Sequence, residues 1–276
     1  MTETTHIDTT SHDGYERTDF VTPGKNEGFQ YPFRATPEDF SKAQNAEWEG
    51  SLDESCRGED GIYREHGFNF EQSVGALPGP ILEVGGPSTQ GYDFLDDVDL
   101  PSKPIITNFA GSRPEFRGAE SLTPVDALVL DALVNVKALP FADESLGMVM
   151  CSSLPQADQQ IFREIGTTLP PERQGAAMND AIEEAYKEAE DAVARDDRKF
   201  LRRHGSPIVA AMAQAERTLM PDGLLVMHNL GPRDARIAEA LGLELVMHTP
   251  MVEAAWEQGT MQVIREAAFR KVRAKE

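Results

Sequence analysis

Ile81-Leu82-Glu83-Val84-Gly85-Gly86-Pro87-Ser88 sets an apolar run of strand length directly against a glycine-rich turn. The turn Pro78-Gly79-Pro80 bounds the run upstream. From Ile81 onward short apolar runs alternate with helical patterns, which signals βαβ units and a mainly parallel sheet. Strands are expected at 81–84, 104–107, a third ending near Val136, then 147–151, 224–228 and 243–247, with the seventh inside 261–272. Helices are expected between them, including 208–219 and 233–241.

Upstream of this pattern the chain reads differently. Residues 1–30 are rich in Thr, Asp and Gly without a hydrophobic period, and are expected to form a disordered tail. Residues 31–78 are expected to form an N-terminal helical arm. Thr36-Pro37-Glu38-Asp39 offers an N-cap, a proline at the first helical position and carboxylates at the positive dipole end, with Gly50 as the stop. A second helical stretch is expected over 61–74. The remaining residues, 79–276, are assigned to one α/β domain. A helical insertion over about 156–205 separates its fourth and fifth strands. Its core, 179–203, reads as one strong helix, with Ile182, Tyr186, Ala189, Val193 and Phe200 on one face and Glu183 and Lys187 spaced as an ion pair. That helix is open to three readings: a packing element, a homodimer contact, or a lid over a substrate pocket.

Composition narrows the classes of function. With 47 acidic against 26 basic residues the formal net charge is -21, so phosphate backbones would repel the chain and a nucleic-acid partner is not expected. A hydrophobic share of 40% is enough to build a core. Cys56 and Cys151 are the sole cysteines, which argues against a disulfide framework or a four-thiolate zinc cluster. His204 and His248 have no ligand partners at telling spacing, so no metal is expected. The absence of a long apolar run points to a soluble, cytoplasmic protein without a membrane partner.

Three stretches carry a resemblance. The first is the opening run, 81–88. The second is Asn135-Val136-Lys137-Ala138-Leu139-Pro140-Phe141-Ala142-Asp143-Glu144-Ser145, leading into the fourth strand through Ser152. The third is Ala215-Glu216-Arg217-Thr218-Leu219-Met220-Pro221-Asp222-Gly223 before the fifth strand. In this order and approximate spacing they resemble class I S-adenosylmethionine (SAM)-dependent methyltransferases with a methyltransferase type 11-like domain. The resemblance implies a Rossmann-like, seven-stranded sheet with helices on both faces. It departs from the family where alternate glycines are expected at 85, 87 and 89 but Pro87 and Thr89 stand, where Asp222 occupies a usual glycine position, and at Asn108 and Asn135, where carboxylates are common. The dinucleotide fingerprint of nicotinamide enzymes is absent from the same turn.

Carried onto this chain, the resemblance implies SAM as cofactor. Glu83 would face the methionine ammonium, and Gly85, Gly86 and Pro87 would form the turn that approaches the cofactor. Asn108 would meet the ribose, where an acidic residue is usual. Asn135 would accept from the adenine amine, with the Val136 N–H beside it and Asp131 as the competitor if the third strand ends early. Ser152 would line the pocket from the end of the fourth strand. Cys151 reads as a core residue rather than a nucleophile. His228, at the end of the fifth strand, is the one candidate general base. The implied activity is methyl transfer to a small-molecule acceptor; the alternative is a catalytically inactive, methyltransferase-like binding or regulatory protein.

Overall fold

The computed structural model of the chain describes residues 56–59, 61–86, 92–95, 98–109, 131–151, 154, 171–256 and 259–273, together with short strands at Thr5–His6, Asp19–Phe20 and Phe40–Lys42. Seven strands make the frame: β1 (Ile81–Val84), β2 (Ile105–Phe109), β3 (Ala132–Val134), β4 (Leu146–Cys151), β5 (Leu219–Leu230), β6 (Leu243–His248) and β7 (Gly259–Lys271). The helices are α1 (Phe70–Gly75), α2 (Pro171–Ala194), α3 (Arg198–His204), α4 (Pro207–Thr218) and α5 (Pro232–Ala240).

Every residue of β1 and of β4 is buried, as expected for parallel strands covered on both faces. Alternation sorts their side chains. Leu82, Val84, Val149, Cys151, Leu225 and Met227 point to one face, under α2, α3, α4 and α5. Ile81, Met148, Met150, Leu224 and Val226 point to the other, under α1 and the turn around Phe94. Helices therefore cover both faces.

Across the sheet the seven strands lie in the order β3-β2-β1-β4-β5-β7-β6. The β1–β2, β2–β3, β1–β4 and β4–β5 pairs are parallel, whereas β7 runs antiparallel to both β5 and β6. The strand succession runs outward from β1 on one side and outward from β4 on the other. The two meet where Val84 pairs with Cys151. In an open α/β sheet this reversal leaves a crevice beyond the strands' carboxyl ends, and it is the general place for a ligand.

Among the described residues the sheet has twelve strands, not the expected seven. Thr5–His6 pairs with Asp19–Phe20, which joins β3. Tyr63–Arg64 adds beyond β6. Met251–Trp256 forms a hairpin with β7 and pairs in turn with Phe40–Lys42. All five additions are antiparallel, so the sheet as a whole is mixed rather than mainly parallel. Segments of two or three residues carry no readable period, which is why sequence patterns miss most of them.

Other boundaries also move. The helix expected from Thr36 lies outside the described residues except for Phe40–Lys42, which are extended. Within 61–74 only Tyr63–Arg64 are strand and the helix is confined to Phe70–Gly75, started by Asn69, whose side chain accepts from the Gln72 N–H. The single helix expected over 179–203 is two. Asp196 sits at φ 56°, which α-helices do not tolerate, and Asp197 caps α3 by accepting from the Phe200 N–H at 2.9 Å. Asp222 adopts φ 65°, the left-handed conformation that explains why glycine suits this turn and why a short polar residue can replace it.

Candidate active site

The geometry at the crevice starts from β1. Glu83 points to the same face as Ile81 and is buried. Gly85 follows at φ 79°, a conformation that favours glycine, and turns the chain off the strand. Gly86 then packs against the Glu83 side chain so closely that a Cβ there would stand 2.6 Å from Glu83 Cδ. Glycine at 86 is what leaves room for the carboxylate. The turn is tied to β2 by three bonds: the Gly86 N–H donates to Thr107 O at 2.9 Å, the Thr107 hydroxyl to Glu83 O at 2.7 Å, and Asn108 Nδ2 to Gly86 O at 2.6 Å.

Beyond the turn the resemblance implies a helix, but the described residues between Tyr92 and Ile105 contain one 3-10 turn, Asp93–Leu95, and no α-helix. Pro101 and Pro104 explain part of this, since proline lacks the N–H a helix interior needs. The turn is held from β7. Phe94 N–H donates to Glu266 Oε1 at 3.2 Å, across 172 residues of sequence, and Arg265 pairs with Asp93 at 3.1 Å. Tyr92 projects back over the crevice face. Its hydroxyl lies 3.4 Å from Glu83 Oε1 and its ring centroid 4.3 Å from that of His228.

His228 sits on β5 opposite Glu266 of β7. Its Nε2 is 3.8 Å from Glu266 Oε2, beyond hydrogen-bond reach but close enough to feel charge. Burial, with help from the positive charge of Arg265, pushes the His228 imidazole down to about 4. Burial pushes the Glu266 carboxyl up to about 8; nearby Asp93 adds to this while the Phe94 N–H opposes it. Both groups are therefore neutral at pH 7, an acid and a base set apart by environment.

The other expected residues divide between the crevice and structural work. Asn135 stands at the carboxyl end of β3 as placed, and its Oδ1 accepts from the Lys137 N–H at 2.9 Å, capping the 3-10 turn Val136–Ala138. One lone-pair direction of that oxygen is thus taken. Val136 is buried in this turn. Asp131 precedes β3 at the opposite edge, where it accepts from the Ile106 N–H at 2.9 Å, so the strand does not end early. Cys151 is fully enclosed, and burial with the nearby Glu83 charge drives its thiol far up, which leaves a core residue and not a thiolate. Pro87 and Ser152 lie outside the described residues.

Tyr92 and Glu266 escaped the sequence reading. Glu266 did leave a signal: a carboxylate inside the apolar run Val263-Ile264-Arg265-Glu266-Ala267-Ala268-Phe269 needs a partner or a neutral form. Tyr92 left none, because its role rests on contacts with residues distant in sequence.

No protein-family model matches the chain, and no curated protein matches it. Among solved structures, the crystal structure of the antibiotic-resistance methyltransferase Kmr aligns at 10% identity and a TM-score of 0.27, covering 74% of this chain and 94% of that one. A score so low leaves the fold to be read from the strand order itself. Among the described residues no helix is long and apolar enough to cross a membrane.

Proposed function

We propose that the chain is a SAM-dependent methyltransferase that binds its cofactor at the β1–β4 crevice and methylates a small-molecule acceptor. One observation carries the reading. The topological reversal of the sheet falls on the Gly85-Gly86 turn and on Glu83, the residues that the sequence resemblance assigns to the cofactor. The local packing fits: a buried carboxylate at the strand end, accommodated by a glycine, suits a ligand ammonium.

In this reading Glu83 holds the ammonium, the backbone at Gly85 and Gly86 approaches the ligand, and Asn108 braces the turn from β2. Asn135 and Val136 border the adenine end. The cofactor supplies a methyl group already activated by its sulfonium. What remains for the protein is to align the acceptor, which raises rate through proximity. In this reading His228, kept neutral by burial, would take a proton from an acceptor that must lose one.

Calorimetric titration with SAM and with S-adenosylhomocysteine tests this. Micromolar binding of both, weakened at least tenfold by Glu83→Gln, is expected. A second reading, a methyltransferase-like binding protein without catalysis, draws on the Tyr92 hydroxyl at Glu83 and on the backbone bonds made by Asn108 and Asn135. Failure of both ligands to bind would favour it. The formal net charge of -21 supports a protein that does not take a phosphate backbone as partner.

The insertion supports packing over a lid in this reading. Tyr186, Ala189 and Leu201 enter the core, with Ile182, Val193 and Phe200 packed against it. Arg233 of α5 stacks over Tyr186 and pairs with Glu183 and Glu190, so the charge partner of Glu183 in the structure is Arg233 of α5, not the expected Lys187.

A further inference from the structure

We infer that His248 is an acid-sensitive latch for the Tyr63–Arg64 edge strand: a neutral imidazole holds the edge on the sheet, and a proton on Nε2 releases it. The latch stands away from the β1–β4 crevice, where Tyr63–Arg64 adds beyond β6. Pairing there is short. Tyr63 lies opposite His248 and Arg64 opposite Met247, and the Glu65 N–H then donates to Val246 O at 2.8 Å. Ring stacking reinforces it: Tyr63 and His248, both buried, lie 5.0 Å apart between centroids with 13° between their planes.

The bonding of the imidazole decides which proton matters. Nδ1 lies 2.7 Å from Thr249 O, a carbonyl that can only accept, so Nδ1 carries the hydrogen and Nε2 the lone pair. Nε2 is enclosed, with no hydrogen-bond partner among the described residues. A proton added there makes a buried cation whose new N–H finds no acceptor, which is costly. It also brings a second cation to the Tyr63 ring, because the Arg57 guanidinium already lies over that ring at 5.4 Å. Burial holds the imidazole below its usual 6.5, with the Thr249 carbonyl opposing.

Neighbouring charges offer no relief. His248 pairs with Ala267 and shares its face of β7, whereas Glu266 and Arg270 lie on the other face, Arg270 paired with Glu65 and Glu244. On α5, Arg233 is held by Glu183 and Glu190, Asp234 Oδ2 accepts from the Tyr186 hydroxyl at 3.3 Å, and Arg236 and Glu239 are exposed. His66, on the edge segment itself, is exposed too. Opening the two-residue edge is therefore the smallest rearrangement that solvates the charge, and the rest of the sheet stays folded. The sign follows: the released imidazole accepts a proton that the latched one resists, so the edge loses its hold as pH falls below 6.5.

Amide hydrogen exchange on the full chain tests the latch, with rates corrected for the intrinsic effect of pH. From pH 7.5 to about 5 the Glu65 amide of wild type should lose roughly tenfold in protection, while Val149 in β4 keeps its own. His248→Phe keeps a ring against Tyr63 and takes no proton, so its Glu65 protection should change less than about twofold over the same range. His66→Gln should behave as wild type. Equal loss in wild type and His248→Phe overturns the latch, as does a wild-type Glu65 amide that stays protected. A parallel loss at Val149 marks global unfolding and overturns it as well. Should His248→Phe fail to fold, wild type decides alone: the His248 ring titration, followed by NMR, must share its midpoint with the loss of Glu65 protection, and separate midpoints sink the proposal.

Discussion

Glu266 Oε2 lies 3.8 Å from His228 Nε2 across the β5–β7 pairing, and burial drives the two groups in opposite directions, the carboxyl up to about 8 and the imidazole down to about 4. Neither carries charge at pH 7. The pair therefore shapes how folding stability responds to pH between about 4 and 8, with contributions of opposite sign.

Above about 6.5, where the unfolded-state histidine is already neutral, the controlling group is Glu266. Between about 4.5 and 8 its carboxyl is ionised in the unfolded chain but protonated in the fold, so unfolding releases a proton and stability falls as pH rises. The slope from this one group approaches 1.4 kcal/mol per pH unit. Glu266→Gln, which cannot ionise, should flatten that part of the curve and be more stable than wild type at pH 8, measured by urea denaturation. An unchanged slope would show that Glu266 ionises normally.

His228 controls the acid side. Between 6.5 and about 4 the unfolded chain binds a proton that the folded imidazole refuses, so the His228 contribution to stability falls as pH falls, offsetting the opposite Glu266 contribution down to about 4.5 and acting without it below that. His228→Gln should lose less stability than wild type between pH 6.5 and 4, while above 7 its curve should run parallel to wild type. Imidazole resonances followed by NMR give the same test directly: His228 should remain neutral at pH 5.

Gly86→Ala would place a Cβ 2.6 Å from Glu83 Cδ. The side chain of Glu83 must then leave the strand end. Affinity for S-adenosylhomocysteine should drop at least tenfold in calorimetry, while overpacking costs about 1–3 kcal/mol of stability. Wild-type affinity in this variant would mean that Glu83 does not hold the ligand.

Arg217 should matter to folding and not to ligand binding. From the end of α4 its guanidinium donates to Phe141 O at 2.7 Å, Leu139 O at 3.1 Å and Asp143 Oδ1 at 2.7 Å. These bonds pin the Leu139-Pro140-Phe141 turn before β4, at the sheet edge opposite the crevice. Arg217→Ala should cost about 2–4 kcal/mol, and Arg217→Lys should recover little, because a point charge cannot serve several carbonyls in a fork. S-adenosylhomocysteine affinity should stay within twofold.

That last site bears on how the sequence could be read. The stretch 135–145 carries the stronger resemblance, yet beyond Asn135 and Val136 its residues brace the fold. Gln214 also donates to Lys137 O at 2.9 Å from the same helix. A turn that must meet an arginine and a glutamine on α4 leaves as distinct a pattern as one that meets a ligand. Sequence similarity alone does not distinguish the two.

Local chemistry was enough to locate the seven frame strands, the glycine turn after Val84 and the helices α4 and α5. Each depends on periodicity, caps or a backbone conformation that neighbouring residues dictate. The chain's own letters also placed Glu83, Asn135 and His228 at strand ends on one edge. Tertiary structure alone decided the five added strands, the break at Asp196, and the meeting of Tyr92, Glu266, Glu83 and His228. Those contacts join β1, β5, β7 and the turn after β1, segments up to 172 residues apart. The proton affinities follow from the same cause: burial belongs to the packed fold, and a linear pattern does not specify which carboxyl ends up without water.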